Sequence, residues 1–181
     1  IAAANVREVK ARELMRASAD ALLDPQVLLE AVRDTSGRIT DFTYRGVNRA
    51  TCDYLGLSPE DLLGRGVVET MPGLGKSLLA SFVRCVETGE SVVLDDFSYD
   101  NEIRADTRRY DLRATRATST SISLTWRDVT ERFRSAQLLA EARALQSKAD
   151  RRYRRLVDNS GIGMGLLAPD GQFESVNQAM C

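Results

Sequence analysis

The chain contains no histidine, and that count removes much of enzyme chemistry. Without imidazole there is no Ser-His-Asp or Cys-His nucleophile, no His ligand for zinc or haem, and no phospho-accepting His. Three cysteines are present, Cys52, Cys85 and Cys181, widely spaced and without a C-x-x-C pair. An odd, scattered set speaks against a disulfide framework or a metal cluster and for ordinary thiols in a reducing compartment. The expectation is a cytoplasmic, non-catalytic chain with no metal site.

Two stretches imitate chemistry. Residues 67–77 read as strand, phosphate loop and helix, with Thr70 to Ser77 as the loop and Lys76 as the phosphate-reaching lysine. Asp95 and Asp96, after an apolar run, imitate the metal-holding strand of a nucleotide hydrolase. In a true phosphate loop, backbone amides cradle the phosphates, Lys reaches the outer ones and Ser holds magnesium. Here Thr70 stands where the first glycine belongs. Nucleotide folds also need repeated parallel strand–helix units, whereas the strands after Gly89 read as consecutive and antiparallel. A P-loop-like nucleotide-binding domain is the enzyme-class alternative; a loop before a helix is the plainer reading. The second imitation lies between Arg127 and Arg155, with nine basic and four acidic residues. Nucleic-acid binding wants aromatics interleaved with the charge, and the dense cluster around Arg151 offers only Tyr153. A solvated helix face explains it, so no nucleic-acid partner is expected.

These residues must be positioned by 181 residues, 20.0 kDa, with 43% hydrophobic and 28% charged side chains. That suffices for one domain plus long helices. Lys and Arg total 25 and Asp and Glu 26, a net charge of −1, so no global field draws the chain to a polyanion. No apolar run approaches the roughly 18 residues of a membrane span. Ile1 in place of an initiator Met leads to the expectation of a piece of a longer protein.

Residues 1–24 lack Gly and Pro except where Asp24 meets Pro25, and predict an amphipathic helix. Residues 27–33 and 39–47 predict two strands around the turn Asp34-Thr35-Ser36-Gly37, with Phe42 and Tyr44 at period two. Asn48 caps a short helix to Leu55, ended by Gly56. Ser58-Pro59 starts another. Residues 77–87 carry the helical stripe Leu78, Leu79, Phe82, Val83 and Val86. The period then becomes two: a strand over 91–99, a charged loop from Asp100 to Asp106, a strand with Tyr110, Leu112 and Ala114 on one face, and one with Ile122, Leu124 and Trp126. Asp128-Val129-Thr130-Glu131 predicts a capping box, with Asp128 accepting from the amide three residues on. The helix beyond it, residues 131–158, fits two coiled-coil phases. One runs through Leu138, Ala142, Leu145, Ala149, Arg152 and Leu156; the other runs through Leu139, Ala142, Gln146, Ala149, Tyr153 and Leu156.

The end of the chain repeats its beginning. Val47-Asn48-Arg49-Ala50-Thr51-Cys52 matches Val176-Asn177-Gln178-Ala179-Met180-Cys181 at four of six positions. A turn precedes each, the second being Pro169-Asp170-Gly171, and an apolar strand precedes each turn. The second copy stops at its first helix and is expected to form no sheet of its own.

Asn48-x-Ala50, Ser58-Pro59-Glu60-Asp61-Leu62-Leu63-Gly64, Thr88-Gly89-Glu90 and Trp126-Arg127-Asp128-Val129-Thr130-Glu131-Arg132 resemble the signatures of the PAS sensor-domain family. The resemblance covers about 25–132 and again 157–181. It implies an α+β fold: a five-stranded antiparallel sheet with flanking short helices around a small pocket, here with an N-terminal helix and a long C-terminal linker helix. The implied organisation is an N-terminal helix over 1–24, a PAS domain over 25–130, a coiled-coil-like signalling helix over 131–158 and the truncated start of a second PAS domain over 159–181. By resemblance this is the tandem sensory region of a bacterial signalling protein. It would bind a small ligand or dimerise, and drive an output domain through a helix: GGDEF/EAL cyclic-di-GMP, histidine kinase or phosphatase. A purely structural homodimerising module is the other reading. Candidate pocket walls are Phe42, Tyr44, Leu55, Phe82, Val93, Tyr110, Leu112, Ile122 and Leu124. Trp126, Asp128, Thr130 and Glu131 form the candidate signal junction. The blue-light flavin subfamily carries Asn-Cys-Arg-Phe-Leu-Gln near its middle helix, and Cys52 lies a helix too early, which argues against a flavin–thiol photosite. His-ligated haem is excluded, and the cofactor is otherwise open.

Overall fold

A computed structural model describes residues 2–101 and 106–180. Cys181 and residues 102–105 of the expected charged loop lie outside the described residues. The chain divides into two compact units, residues 1–131 and 132–181.

The first unit opens with α1 (Ala2–Asp20), then β1 (Gln26–Arg33) and β2 (Ile39–Val47). The Asp34 carboxylate accepts from the Ser36 and Arg38 amides and closes the turn between them. The Ser36 hydroxyl, which also donates to this carboxylate, and then the amides hold its carboxyl below the ordinary range. Helices α2 (Arg49–Leu55), α3 (Pro59–Leu62), α4 (Val67–Thr70) and α5 (Pro72–Thr88) follow, then β3 (Val92–Asn101), β4 (Asp106–Arg116) and β5 (Ser121–Asp128). The five strands form one antiparallel sheet in the order β2-β1-β5-β4-β3. The first and last strands in sequence therefore meet at its centre, where Leu29 faces Ile122. Helix α5 packs its Leu78, Phe82, Cys85 and Val86 into the core, and Phe82 meets Phe42 edge to face at 5.9 Å.

Two local expectations are corrected here. Residues 67–70, a strand only in the nucleotide-binding alternative and otherwise part of a loop, form the short helix α4, and α5 begins at Pro72 rather than Ser77. Pro at the first position of a helix costs no hydrogen bond and has the right φ. The Gly-Leu-Gly-Lys stretch is therefore helical, packed so closely that a Cβ at Gly75 would lie 2.9 Å from Val68. The Thr70, Met71 and Gly75 amides donate to the Gly66, Val67 and Met71 carbonyls, so the stretch from Thr70 to Ser77 is not the open glycine loop that wraps a phosphate. Asp95 and Asp96 lie on an antiparallel strand and pair with Arg113 and Arg109. The nucleotide-binding alternative loses its geometry.

β3 also carries a bulge. Leu94 pairs with Leu112 but Phe97 with Tyr110, so Asp95 and Asp96 together oppose Asp111. Asp96 takes φ +57°, and its amide donates to the Asp111 carboxylate at 3.1 Å. One extra residue reverses the alternation. Val92 is buried before the bulge and Tyr99 after it. Strict period two would place Val93 inward with Phe97 and Tyr99, yet Val93 is 56% exposed. The expected pocket role of Val93 is corrected accordingly.

The helix α6 (Thr130–Asp158) leaves the sheet directly. In the second unit, β6 (Gly165–Leu167) and β7 (Phe173–Val176) pair as a two-stranded antiparallel sheet, followed by a 3-10 turn over Gln178–Met180. The expectation that this copy forms no sheet is corrected: its two strands, joined by a short turn, pair as a hairpin whose outer backbone groups are left to solvent.

The repeat extends to the hydrogen bonds. Buried Asn48 accepts from the Gln26 amide at 2.9 Å and donates from Nδ2 to the Ala19 and Asp24 carbonyls. Buried Asn177 accepts from the Met164 amide at 2.8 Å and donates to the Val157 and Ile162 carbonyls. The partners are spaced alike, five residues and then two, in both copies. Each Asn thus ties the last turn of the preceding helix to the start of a hairpin, supplying an orphan helix-end carbonyl with a donor. Among the described residues, no helix is long and apolar enough to cross a membrane.

Candidate ligand cavity and signal junction

Between α5 and the sheet lies a cavity of about 40 Å³. Of the expected walls, Tyr44, Leu55, Tyr110, Leu112 and Leu124 line it. Phe42, Phe82 and Ile122 are fully buried but fill the core beside it. Val27, Met71, Leu74, Phe97, Tyr99 and Trp126 complete the wall and were not expected there. Phe97 and Tyr99 share the parity of Val93, so period two from Val93 points to them; the β3 bulge is why they face inward while Val93 does not. Met71 and Leu74 belong to the segment read as a loop. Val27 could have been found, since it stands at period two with Leu29 on a strand that was recognised.

The buried polar side-chain atoms of the wall have partners. The Tyr44 hydroxyl donates to Met71 Sδ at 3.8 Å and lies 3.3 Å from Thr70 Oγ1. Burial pushes the Tyr44 phenol up. The Tyr110 hydroxyl pairs with that of Tyr54 at 3.0 Å. Among the described residues no buried side-chain nitrogen or oxygen lacks a partner.

Tyr54 carries the cavity wall to the start of α6. Its hydroxyl donates to Asp128 Oδ2 at 2.8 Å, and the same oxygen accepts from Arg108 Nη1 at 2.6 Å. Arg108 also holds Asp106, at 2.7 Å. The other Asp128 oxygen accepts from the Thr130 amide at 3.0 Å, the first residue of α6. The expected bond reached three residues on; the observed one reaches two, because the helix begins at Thr130. The Thr130 hydroxyl accepts from the Arg109 amide at 3.0 Å, so the helix start is stitched to β4 as well. Burial pushes the Asp128 carboxyl up, but the bonds from Thr130, Arg108 and Tyr54 outweigh it and hold the pKa at about 2. Burial, with the Tyr110 and Asp128 bonds, pushes the Tyr54 phenol strongly upward, so this proton stays on Tyr54. Trp126 meets the Tyr54 ring edge to face at 6.3 Å, beside the same junction. Glu131 is exposed on the first turn of α6.

Neither Cys52 nor Cys85 lines the cavity. Cys85 is buried and donates to the Ala114 carbonyl, and burial pushes both thiols up. A tricyclic flavin is far larger than the cavity, and among the described residues no thiol lines it. Among the described residues no cluster of acidic or thiol side chains could hold a metal ion.

A family model described as the PAS fold matches residues 40–134. Among solved structures, the chain is similar to the PAS domain of an HTR-like protein from Haloarcula marismortui. They are 16% identical, with 71% of this chain and 99% of that one covered and a TM-score of 0.51. A LOV protein from Rhodobacter sphaeroides is 12% identical over 66% of this chain and 67% of its own, with a TM-score of 0.50. A domain of a sensory box sensor histidine kinase/response regulator from Geobacter sulfurreducens is 18% identical over 65% and 94%, with a TM-score of 0.49. At these identities the likeness is one of fold. No curated protein matches the chain.

Proposed function

The chain belongs to the PAS fold family, and from that premise we propose that residues 25–130 are the sensory and regulatory module of a bacterial signal-transduction protein. An event in the cavity alters the sheet, and the change leaves through α6 toward an output domain in the same protein. The observation that carries this reading is the hydrogen-bond path from Tyr110 in the cavity wall, through Tyr54 and Asp128, to the first amide of α6. A signal requires two states that the ligand binds unequally, and this path gives the cavity a physical hold on the helix start. The module itself is non-catalytic. The output is cyclic-di-GMP synthesis or breakdown by a GGDEF/EAL domain, with histidine kinase or phosphatase as the other classes.

The repeated asparagine tie supports reading residues 159–181 as the start of a second PAS domain, so that residues 131–158 form the helix between two such domains. The reading includes a homodimer joined through α1, α6 or both, supported by the exposed Leu14 and Met15 on α1 and Leu138, Leu145 and Leu156 on α6. It also includes a cytoplasmic location, supported by the free thiols Cys52 and Cys85.

The test uses the longer protein with its output domain. Deleting four residues within 138–149 rotates everything downstream by about 40° and shortens α6 by about 6 Å, whereas deleting seven nearly restores the phase. The four-residue deletion should lock or abolish output and the seven-residue deletion should keep regulation. Equal output and equal responsiveness in both would overturn the relay and leave a purely structural dimerising module. A solution mass of one chain, 20.0 kDa, at high micromolar concentration would overturn the homodimer.

A further inference from the structure

The walls of the cavity restrict what the proposed sensor can hold. Resting on the sensory reading above, we propose that the cavity takes an uncharged, apolar molecule no larger than toluene. No charged side chain and no side-chain amide lines it. The Tyr44 and Tyr110 hydroxyls at its wall are already bonded, to Met71 and Tyr54. A charged ligand would shed its hydration and find no opposite charge here, which is the costly form of burial. Water is excluded too, since a buried water needs two to four polar partners. What the wall offers is five rings, those of Tyr44, Phe97, Tyr99, Tyr110 and Trp126, whose edges and faces suit an apolar or aromatic guest.

Size sets the upper limit. An apolar cavity of roughly 150 Å³ holds benzene or xenon. At about 40 Å³ this one takes a xenon-sized guest as it stands. A six-carbon ring enters when Met71 moves, and an unbranched thioether is the side chain best able to do so. Moving Met71 removes the acceptor of the Tyr44 hydroxyl, and a guest against Tyr110 presses on the hydroxyl pair that leads to Asp128. Occupancy and the helix start are thereby linked through the same residues.

Trp126 is the only tryptophan of the chain and lies in the wall, so its emission reports occupancy directly. The experiment titrates the 181-residue chain with xenon, toluene, benzoate and benzylammonium, reading Trp126 emission and thermal unfolding. Leu112→Phe and Leu74→Phe, which fill the cavity from opposite walls, serve as controls, and either suffices if the other does not fold. Toluene at about ten times its Kd should shift Trp126 emission and raise Tm by roughly 3–5 °C. Benzoate and benzylammonium should do neither, and the filled variant should bind toluene at least about tenfold more weakly. Binding of benzoate or benzylammonium as tight as that of toluene would overturn the ligand class while leaving a ligand-sensing cavity. Unchanged toluene binding in the filled variants would place the guest elsewhere and overturn the site. No response to any of the four would overturn the proposal, whereas the relay through α6 is judged separately by the deletion pair.

Discussion

Replacing Asp128 by Ala tests the junction most directly. The substitution removes the acceptor of the Thr130 amide and of the Tyr54 hydroxyl, and takes one carboxylate from Arg108. Loss of a cap-type bond costs about 1 kcal/mol, and loss of a hydrogen bond to a charged group about 1.5–3 kcal/mol. Proton linkage gives an independent figure. The carboxyl titrates at about 2 when folded, against an ordinary 3.8. At about 1.4 kcal/mol per pKa unit, the difference is worth roughly 2–3 kcal/mol. Asp128 is 18% exposed, so solvent screening takes little from it. Because the folded pKa lies below the unfolded one, this contribution is fully present above about pH 4 and disappears as the pH falls through about 2. The expected Tm loss at pH 7 is therefore about 5–10 °C for a chain of this size. The assay is thermal unfolding followed by Trp126 emission from pH 7 down to pH 2, for wild type and Asp128→Ala. The gap between them should be widest at neutral pH and close below pH 4. A variant melting within about 1 °C of wild type at pH 7 would refute the reasoning, as would a gap that persists at pH 2.

Three further outcomes follow from the same structure. Tyr54→Phe keeps the ring packing but breaks both hydroxyl bonds, one of them to a carboxylate; it should cost about 1.5–3 kcal/mol and, in the longer protein, weaken the response of output to occupancy, whereas an undiminished response would remove Tyr54 from the relay. Val93→Thr should leave Tm within about 2 °C, and Val92→Thr, which buries a hydroxyl, should lower it by several degrees; the reverse order would place the β3 bulge wrongly. Asn48→Ala leaves the Gln26 amide, the Ala19 carbonyl and the α2 cap without their side-chain partner, so a loss of more than about 3 kcal/mol in chemical denaturation is expected, and a loss under about 1 kcal/mol would show that the tie is dispensable.

Most of the architecture was legible because it is local. The Asn48 cap, the glycine after α2, the proline-started α3 and the period-two strands β4 and β5 are each decided by residues within a turn of one another. The repeat was legible too, although its hydrogen bonds were not. Readable from the residues alone are the order of the five sheet strands along the chain, the antiparallel α+β class, the continuation of β5 into a long helix and the lack of imidazole chemistry. Only the tertiary structure decided which side chains meet. Val93 turns outward because one bulge residue, held by Asp111 on the neighbouring strand, reverses the alternation. The helix α5 starts at Pro72 and so takes in the residues that imitate a phosphate loop, bringing Gly75 close against Val68. The relay joins Tyr54, Tyr110 and Asp128 across separations of 56 and 74 residues. No local pattern encodes such a meeting: caps and periodicity depend on neighbours in the chain, whereas this bond network exists only once β5 has paired with β4 and α2 has folded over them.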